Sequence, residues 1–370
     1  MTRITGGTAL VLLLASAVGA EAQLLPGGSS TLVSGAYFES YEFLDPALAG
    51  FERLSLISAP FGARAPLIDR LGLEVSGSFA RAEVEYTDGT EVSLSGLTDT
   101  EVRLSFDVVP DRVTLSAGIL LPTGNSTHSE DEASLAGLIA ADLIPFRVSN
   151  WGSGGGAGLI STLVVPAGDF AFGVTAGYTI GREFEPAEEE ELAYRPGDEL
   201  RVRVAVERTI GSSAKASLLL GGQVYRDDEF AGTSVFQPGN RFEGMGSFSF
   251  AVGAGSAGVV YGGLQHRGSS TLVLEELETP EQTLILTGGG MRIPAGFATF
   301  VPSVDLRLFR RDDGVGQGHL TSLGAGLEWP FGQLVAIPAL RARFGEVLLW
   351  EDAESSVRGV EAGLGVRLSL

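Results

Sequence analysis

Residues 101–108 read EVRLSFDV and residues 201–207 read RVRVAVE. In the first stretch Val102, Leu104, Phe106 and Val108 share one side, and Glu101, Arg103, Ser105 and Asp107 share the other. In the second, Val202, Val204 and Val206 alternate with Arg201, Arg203, Ala205 and Glu207. A period of two marks an extended strand, whose successive side chains point to opposite faces. One face here is wholly apolar and the other carries ions. A sheet built this way separates hydrocarbon from water.

The pattern recurs along the chain. Phe242, Phe248 and Phe250 oppose Arg241, Glu243, Ser247 and Ser249, while Phe170, Phe172, Val174, Ala176, Tyr178 and Ile180 share a side. The final stretch sets Val360, Ala362, Leu364, Val366, Leu368 and Leu370 against Glu361, Gly363, Gly365, Arg367 and Ser369. Short connectors at Ala65–Arg70, Pro110-Asp111, Pro166–Asp169, Ile210–Ser213, Gly253–Gly255, Pro294–Gly296 and Pro330–Gly332 take turns with long ones. The long ones are Asp45–Phe51, Thr87–Asp99, Pro122–Gly155, Gly181–Asp198, Arg226–Asn240, Arg267–Gln282, Arg310–Gly318 and Glu346–Ser356. This alternation predicts an all-β, transmembrane, antiparallel up-and-down barrel of about 16 strands over residues 23–370. Fourteen is the alternative count, because Leu159–Val165 and Leu284–Leu286 alternate poorly. The strand-like stretches exceed the ~5–6 residues usual in soluble sheets and match the ~9–11 that cross a bilayer when tilted.

Arg3, the apolar run Ala9–Val18 and Ala20-Glu21-Ala22 predict a secretory signal over residues 1–22, cleaved before Gln23. That run is too short to span a bilayer as a helix, and no later stretch reaches the ~20 apolar residues required. The expected location is the bacterial outer membrane. The absence of cysteine excludes thiolate metal sites and Cys nucleophiles. A net charge of −21, with Lys215 the sole lysine, argues against a nucleic-acid partner. Glycine, 52 of 370 residues, is about twice its usual share and favours strands and turns over helices.

Within the third long loop, Ser129 followed by Glu132 has the form of a capping box. Leu135, Leu138, Ile139 and Leu143 follow at helical spacing before Pro145. A short helix is expected there, folded into the lumen as a constriction; the alternatives are an outward surface loop or two extra short strands. The strand faces opposite the apolar ones carry Arg103, Arg112, Arg201, Arg203, Arg241, Arg307, Arg341, Arg343 and Arg367. They also carry Glu101, Asp107, Glu207, Glu243, Asp305 and Glu361. Inward charges either line a wet pore or pair off to fill a closed interior, and the mixture of signs favours pairing.

The acidic runs Glu188–Glu191, Asp227–Glu229 and Glu275-Glu276 lack the spaced form of a calcium loop and read as solvated loop charge. Gly152–Gly158 has neither the flanking strand and helix nor the Lys-Ser/Thr of a phosphate cradle. His128 beside Ser126 and Ser129, and His266 beside Ser269 and Ser270, are the residues from which a barrel hydrolase would draw a nucleophile and base. His319 completes the set of imidazoles. No catalytic residue, cofactor or metal is assigned.

Ser95–Thr100 (SGLTDT) precedes a strand and Leu121–Gly124 (LPTG) follows two strands later. With Pro145–Trp151 and Arg195-Pro196-Gly197-Asp198, these segments resemble the phenol meta-degradation (MetA-type) outer-membrane transporter family. The resemblance implies a barrel related to hydrophobic-compound channels, with aromatic or other apolar solutes as cargo. Gln23–Ser30 is too short for the N-terminal plug of long-chain fatty-acid transporters, so that gating does not carry over. The expected function is passage of small hydrophobic or aromatic molecules through the lumen. The alternatives are a general porin-like pore, a structural or adhesive barrel with a blocked lumen, and a lipid hydrolase. Expected partners are outer-membrane lipid and lipopolysaccharide, a small-molecule solute and the barrel-assembly machinery, with no nucleic acid.

Overall fold

A computed structural model describes residues 30–140, 144–188, 193–253, 255–312, 317–348 and 354–370. The signal expected over residues 1–22 lies outside them. Sixteen antiparallel strands close into one barrel. They are β1 (Thr31–Phe43), β2 (Phe51–Ile68), β3 (Leu71–Tyr86), β4 in two segments (Glu91–Leu97 and Thr100–Val109), β5 (Val113–Leu121), β6 (Gly156–Ala167), β7 (Phe170–Gly181) and β8 (Glu199–Ile210). They continue with β9 (Ala214–Tyr225), β10 (Arg241–Val252), β11 (Ser256–Arg267), β12 (Gln282–Ala295), β13 (Ala298–Arg311), β14 (Gln317–Phe331), β15 (Leu334–Leu348) and β16 (Glu354–Ser369). Each strand pairs with its chain neighbours, and β1 pairs with β16 from Thr31↔Ser369 to Phe43↔Val357. No edge is left unpaired, which is what permits strands to stand in hydrocarbon.

The side chains explain the closure. Outward positions are apolar and exposed: Leu159 is 67% exposed, Leu340 59% and Phe242 57%. At the short-turn end aromatic rings gather in a girdle, with Phe170 on Phe172, Phe248 on Phe250, and Phe297 and Phe331 against Trp329. Rings of this kind sit at a membrane–water boundary. The two poorly alternating stretches both lie in barrel strands, β6 and β12. Most tight turns use glycine at positive φ, as at Gly168, Gly211, Gly296 and Gly332; Arg70 and Asp111 take that conformation in the first two.

The Thr87–Asp99 segment expected to be a loop is mostly strand. Its Glu91–Leu97 part pairs with β3 from Phe79↔Leu97 to Glu85↔Glu91, and the Thr100–Val109 part pairs with the same strand from Leu71↔Phe106 to Ser76↔Glu101. An extra residue between the two segments makes a bulge. It reverses which parity faces inward: Val92 and Leu94 above it, Glu101 and Arg103 below it. Arg112, expected on a strand face, sits exposed in the turn between β4 and β5, because the chain reverses at Pro110-Asp111.

The barrel is lopsided. Strands β2, β3 and β14–β16 run 15 to 18 residues, whereas β6–β11 run 12. At ~3.3 Å per residue the surplus of three or more residues raises one wall by about 10 Å at the long-loop end. At the same end, pieces of loop 4 (residues 181–198), loop 5 (226–240) and loop 6 (267–282) pair into a separate small sheet (194–195, 228–230, 233–237, 271–272 and 277–278). No helix among the described residues is long and apolar enough to cross a membrane.

Candidate functional site

Loop 3 (residues 122–155) turns into the barrel. Its helix α2 spans Glu130–Ile139, after the single-turn α1 at Pro46–Ala49. The Ser129 side chain accepts from Glu132 N at 3.4 Å while Glu132 Oε2 accepts from Ser129 N at 3.1 Å, closing the capping box. Three acidic residues in the first turn suit the positive end of the helix. Leu135 and Ile139 are fully buried, and Leu138 packs partly buried beside them. Leu143 lies outside the described residues.

The cluster they enter is the inner face of the tall wall: Tyr41 and Phe43 on β1, Leu54 and Leu56 on β2, Ala80, Ala82 and Val84 on β3, and Leu94 on β4. Leu320, Val347 and Val357 complete it from β14, β15 and β16. Ile144, Val148 and Trp151 of loop 3 are buried with them. Each large apolar side chain so covered contributes about 1.5–3 kcal/mol, enough to hold a loop that would otherwise be free.

Polar groups fix where that loop sits. Trp151 Nε1 donates to the Ala80 carbonyl at 3.3 Å. Arg147 pairs with Glu361 on β16, donates its backbone N–H to Glu39 Oε2 at 3.0 Å, and lays its guanidinium over the Tyr37 ring at 3.8 Å. Glu361 also accepts from Arg343 Nη2 at 2.5 Å and Arg341 Nη1 at 3.4 Å. Arg343 in turn bonds the Tyr41 hydroxyl and Glu39. Glu39, Tyr41, Arg343 and Glu361 are all buried. The network therefore ties loop 3 across the seam where the first strand meets the last. Glycines make room for its rings: a Cβ on Gly359 would come within 2.8 Å of Tyr41, and one on Gly363 would strike Tyr37.

Asp99, in the β4 bulge, staples the base of the loop. Its carboxylate accepts from Gly124 N at 3.1 Å, Ser153 N at 2.8 Å and Ser153 Oγ at 2.9 Å, while its own N–H donates to the Trp151 carbonyl. Both ends of loop 3 are thus held by one side chain. Gly124 is required there, because a Cβ would collide with the Trp151 carbonyl.

The other wall is different. On β4–β11 the inward residues pair along a strand or across to another and keep some solvent exposure. Arg103 meets Glu101 at 2.5 Å, Arg201 meets Glu199 at 2.8 Å, Arg203 meets Glu243 at 2.5 Å and Lys215 meets Glu207 at 2.7 Å. Hydroxyls pair likewise, Ser105 with Ser116 and Thr162 with Thr175, and Thr114 bonds Asp107. Between the charged groups on β4 and β8, the inward faces of β5–β7 hold only Thr114, Ser116, Gly118, Ile160, Thr162, Val164, Thr175, Gly177 and similar uncharged residues.

The sequence-derived set thus divides. Arg341, Arg343 and Glu361 meet in the seam network, with Asp305 and Arg307 on the inward face of β13 nearby. Arg103, Asp107, Arg201, Arg203, Glu207 and Glu243 lie on the exposed wall. Arg241 faces inward on β10, and Arg367 is half-buried low on β16. Sequence reading missed Glu39, Tyr41 and Arg147, and also the Arg292–Glu328 pair, whose two bonds are each 2.5 Å. An alternating Tyr37, Glu39, Tyr41, Phe43 was the available signal for the first two.

The histidines do not join the serines beside them. Ser129 spends its hydroxyl on the helix cap, and Ser270 accepts from Gly239 N at 2.9 Å. His266 Nδ1 meets Thr283 Oγ1 at 3.1 Å, and its Nε2 faces Glu281 at 3.6 Å. His319 faces Glu346. No metal-binding group of His, Asp and Glu occurs among the described residues.

His128 has another place. Its N–H donates to the Pro186 carbonyl and its own carbonyl accepts from Glu188 N, joining loop 3 to loop 4. Desolvation holds its imidazole below the usual histidine range, against the opposing pull of Glu132 and Glu188. A lowered folded pKa means that the unfolded junction binds the proton better, so the junction loses stability as pH falls below about 6.5. Amide protection factors at 127–129 and 186–188, with the intrinsic pH dependence of exchange divided out, are expected to fall between pH 7.5 and pH 5 in the native protein. In His128→Gln the two pH values should give the same protection factors. Deeper in the small outer sheet, the Tyr194 hydroxyl donates to Asp228 at 2.5 Å, and burial followed by that carboxylate pushes its pKa up.

These features define an outer-membrane-type barrel with an inward-folded third loop. Neither a protein-family profile nor a curated protein matches the sequence. Among solved structures the chain is similar to OprB of Pseudomonas putida, with a TM-score of 0.53, 10% identity, and 98% of this chain and 97% of that one covered. An outer membrane channel from Pseudomonas putida F1 aligns over 95% of this chain and 98% of its own at 10% identity, with a TM-score of 0.41. OmpT of Vibrio cholerae gives 0.46 at 12% identity, over 94% and 99%. At such identity the likeness to OprB supports the fold.

Proposed function

We propose that the chain is a channel of the bacterial outer membrane, exported by the signal over residues 1–22, folded there by the barrel-assembly machinery, and narrowed by loop 3. One observation carries this reading. Loop 3 buries the upper inner face of β1–β4 and β14–β16, while most inward positions on the facing wall of β4–β11 are only half-buried and keep contact with solvent. A structural barrel with a blocked lumen would bury both walls. Solute then passes between α2 and the far wall.

Small apolar or aromatic solutes are the proposed cargo. The uncharged faces of β5–β7 offer a path along which such a molecule displaces water without stripping ions, and the resemblance to the phenol meta-degradation family points the same way. In proteoliposomes, phenol and benzyl alcohol are expected to cross faster than a sugar, relative to protein-free vesicles. Thr175→Arg, which places a charge on the uncharged path, should slow them several-fold and leave the sugar little changed. Equal slowing of both solutes would remove the apolar path and leave a general pore.

A further inference from the structure

The tall wall has an outer face that the channel reading does not use. On β5–β7 the outward positions carry no charge and are apolar at the long-loop end, with Ile119 and Leu121, Leu159, and Tyr178 and Ile180. On β16, β1, β2 and β3 they change character near the top. Above Phe38, Ile57, Phe79 and Val360 come Arg81, Ser40, Ser55 and Glu83, then Glu42, Arg53, Glu85 and Arg358. Register places these side by side: Ser40↔Ser55, Glu42↔Arg53, Ser55↔Glu83, Arg53↔Glu85 and Glu42↔Arg358. A crevice of about 330 Å³ opens there, with Phe38 and Val360 on its apolar side and Ser40, Ser55, Arg53, Glu83 and Glu85 on its polar side.

We infer that this crevice and the band around it seat the headgroup of a phosphorylated, acylated glycolipid of the outer leaflet. The site straddles the hydrocarbon boundary, so one ligand must offer acyl chain below and polar groups above. Guanidinium groups recognise phosphate by paired hydrogen bonds, serine hydroxyls suit sugar hydroxyls, and the carboxylates can share a divalent cation with those phosphates. The arginines are already paired, Arg53 with Glu85 at 3.4 Å, Arg81 with Glu83 at 3.1 Å and Arg358 with Glu42 at 3.7 Å. Those side chains are 35% to 65% exposed, however. Exposed pairs are worth only ~0–1 kcal/mol, so a phosphate can re-form them around itself at little cost. A second copy of the chain is a poorer occupant, because the centre of a protein interface is depleted of charge.

Headgroup binding on this outer face is independent of conduction through the lumen. Purified full-length barrel in detergent with Mg²⁺, titrated with diphosphoryl lipid A and read by native mass spectrometry, tests it. Wild type should retain lipid A. Combined Arg53→Ala, Arg81→Ala and Arg358→Ala should weaken retention by about tenfold or more, the matching Arg→Lys set should fall between, and Arg208→Ala, outside the band, should match wild type. Heat-modifiable migration verifies that each variant is a closed barrel. Retention equal in wild type and the triple alanine variant overturns the assignment, as does no retention at all. A dimer that the triple variant abolishes without lipid A would give the wall to a second copy and overturn it too.

Discussion

Arg343→Ala is expected to destabilise the barrel by about 3–5 kcal/mol, the range for removing one member of a buried ion pair. Arg343 is 3% exposed at its side chain; its loss strands Glu39 (0% exposed) in a space that water does not reach and takes from Glu361 (4% exposed) one of its three arginine partners. The Tyr41 hydroxyl loses its partner as well. Arg147 alone cannot compensate, since it already serves Glu361 through its side chain and Glu39 through its backbone. Urea unfolding in detergent micelles, followed by the fluorescence of buried Trp151, measures the change. Adding Glu39→Gln to Arg343→Met removes the stranded charge, leaves Glu361 to Arg147 and Arg341, and should restore a large part of the loss. Without that recovery, the effect would come from packing rather than charge.

Removing loop 3 should widen the channel. Asp99 holds Gly124 N and Ser153 N together, so residues 125–152 can be replaced by a short Gly-Ser link without parting β5 from β6. Excision exposes the inner face of the tall wall and frees the space filled by α2 and Trp151. Single-channel conductance should rise several-fold, because the narrowest section of a pore sets its resistance. Circular dichroism should show the sheet retained. An unchanged conductance with the barrel intact would mean that ions cross elsewhere than beside loop 3.

Much of this fold was legible because hydrocarbon outside and polar side chains inside impose a period of two. That rule also explains the misreading of Glu91–Leu97. There the polarity is inverted, with Val92 and Leu94 inward against loop 3 and Glu91, Ser93 and Ser95 outward above the membrane, so a search for apolar-out strands passes it over. The capping box over Ser129–Glu132 was readable because it is local. The latch was not: Arg147 and Glu361 lie 214 residues apart, and only closure of the barrel brings them together. The small outer sheet escaped notice for a third reason. Its strands are two to five residues long, too short to show a period.

A water-filled path runs, on the proposed function, between loop 3 and the wall of β5–β7. Single-channel recording in planar bilayers, comparing the native barrel with Gly177→Trp, probes that path. A Cβ at Gly177 meets Ile160 at an ordinary 3.5 Å, so the strand tolerates a side chain and the indole must project into the path. Stable conductance steps are expected from the native barrel and markedly smaller ones from the variant. A silent native barrel, or steps of equal size from both proteins, would mean that no such path exists.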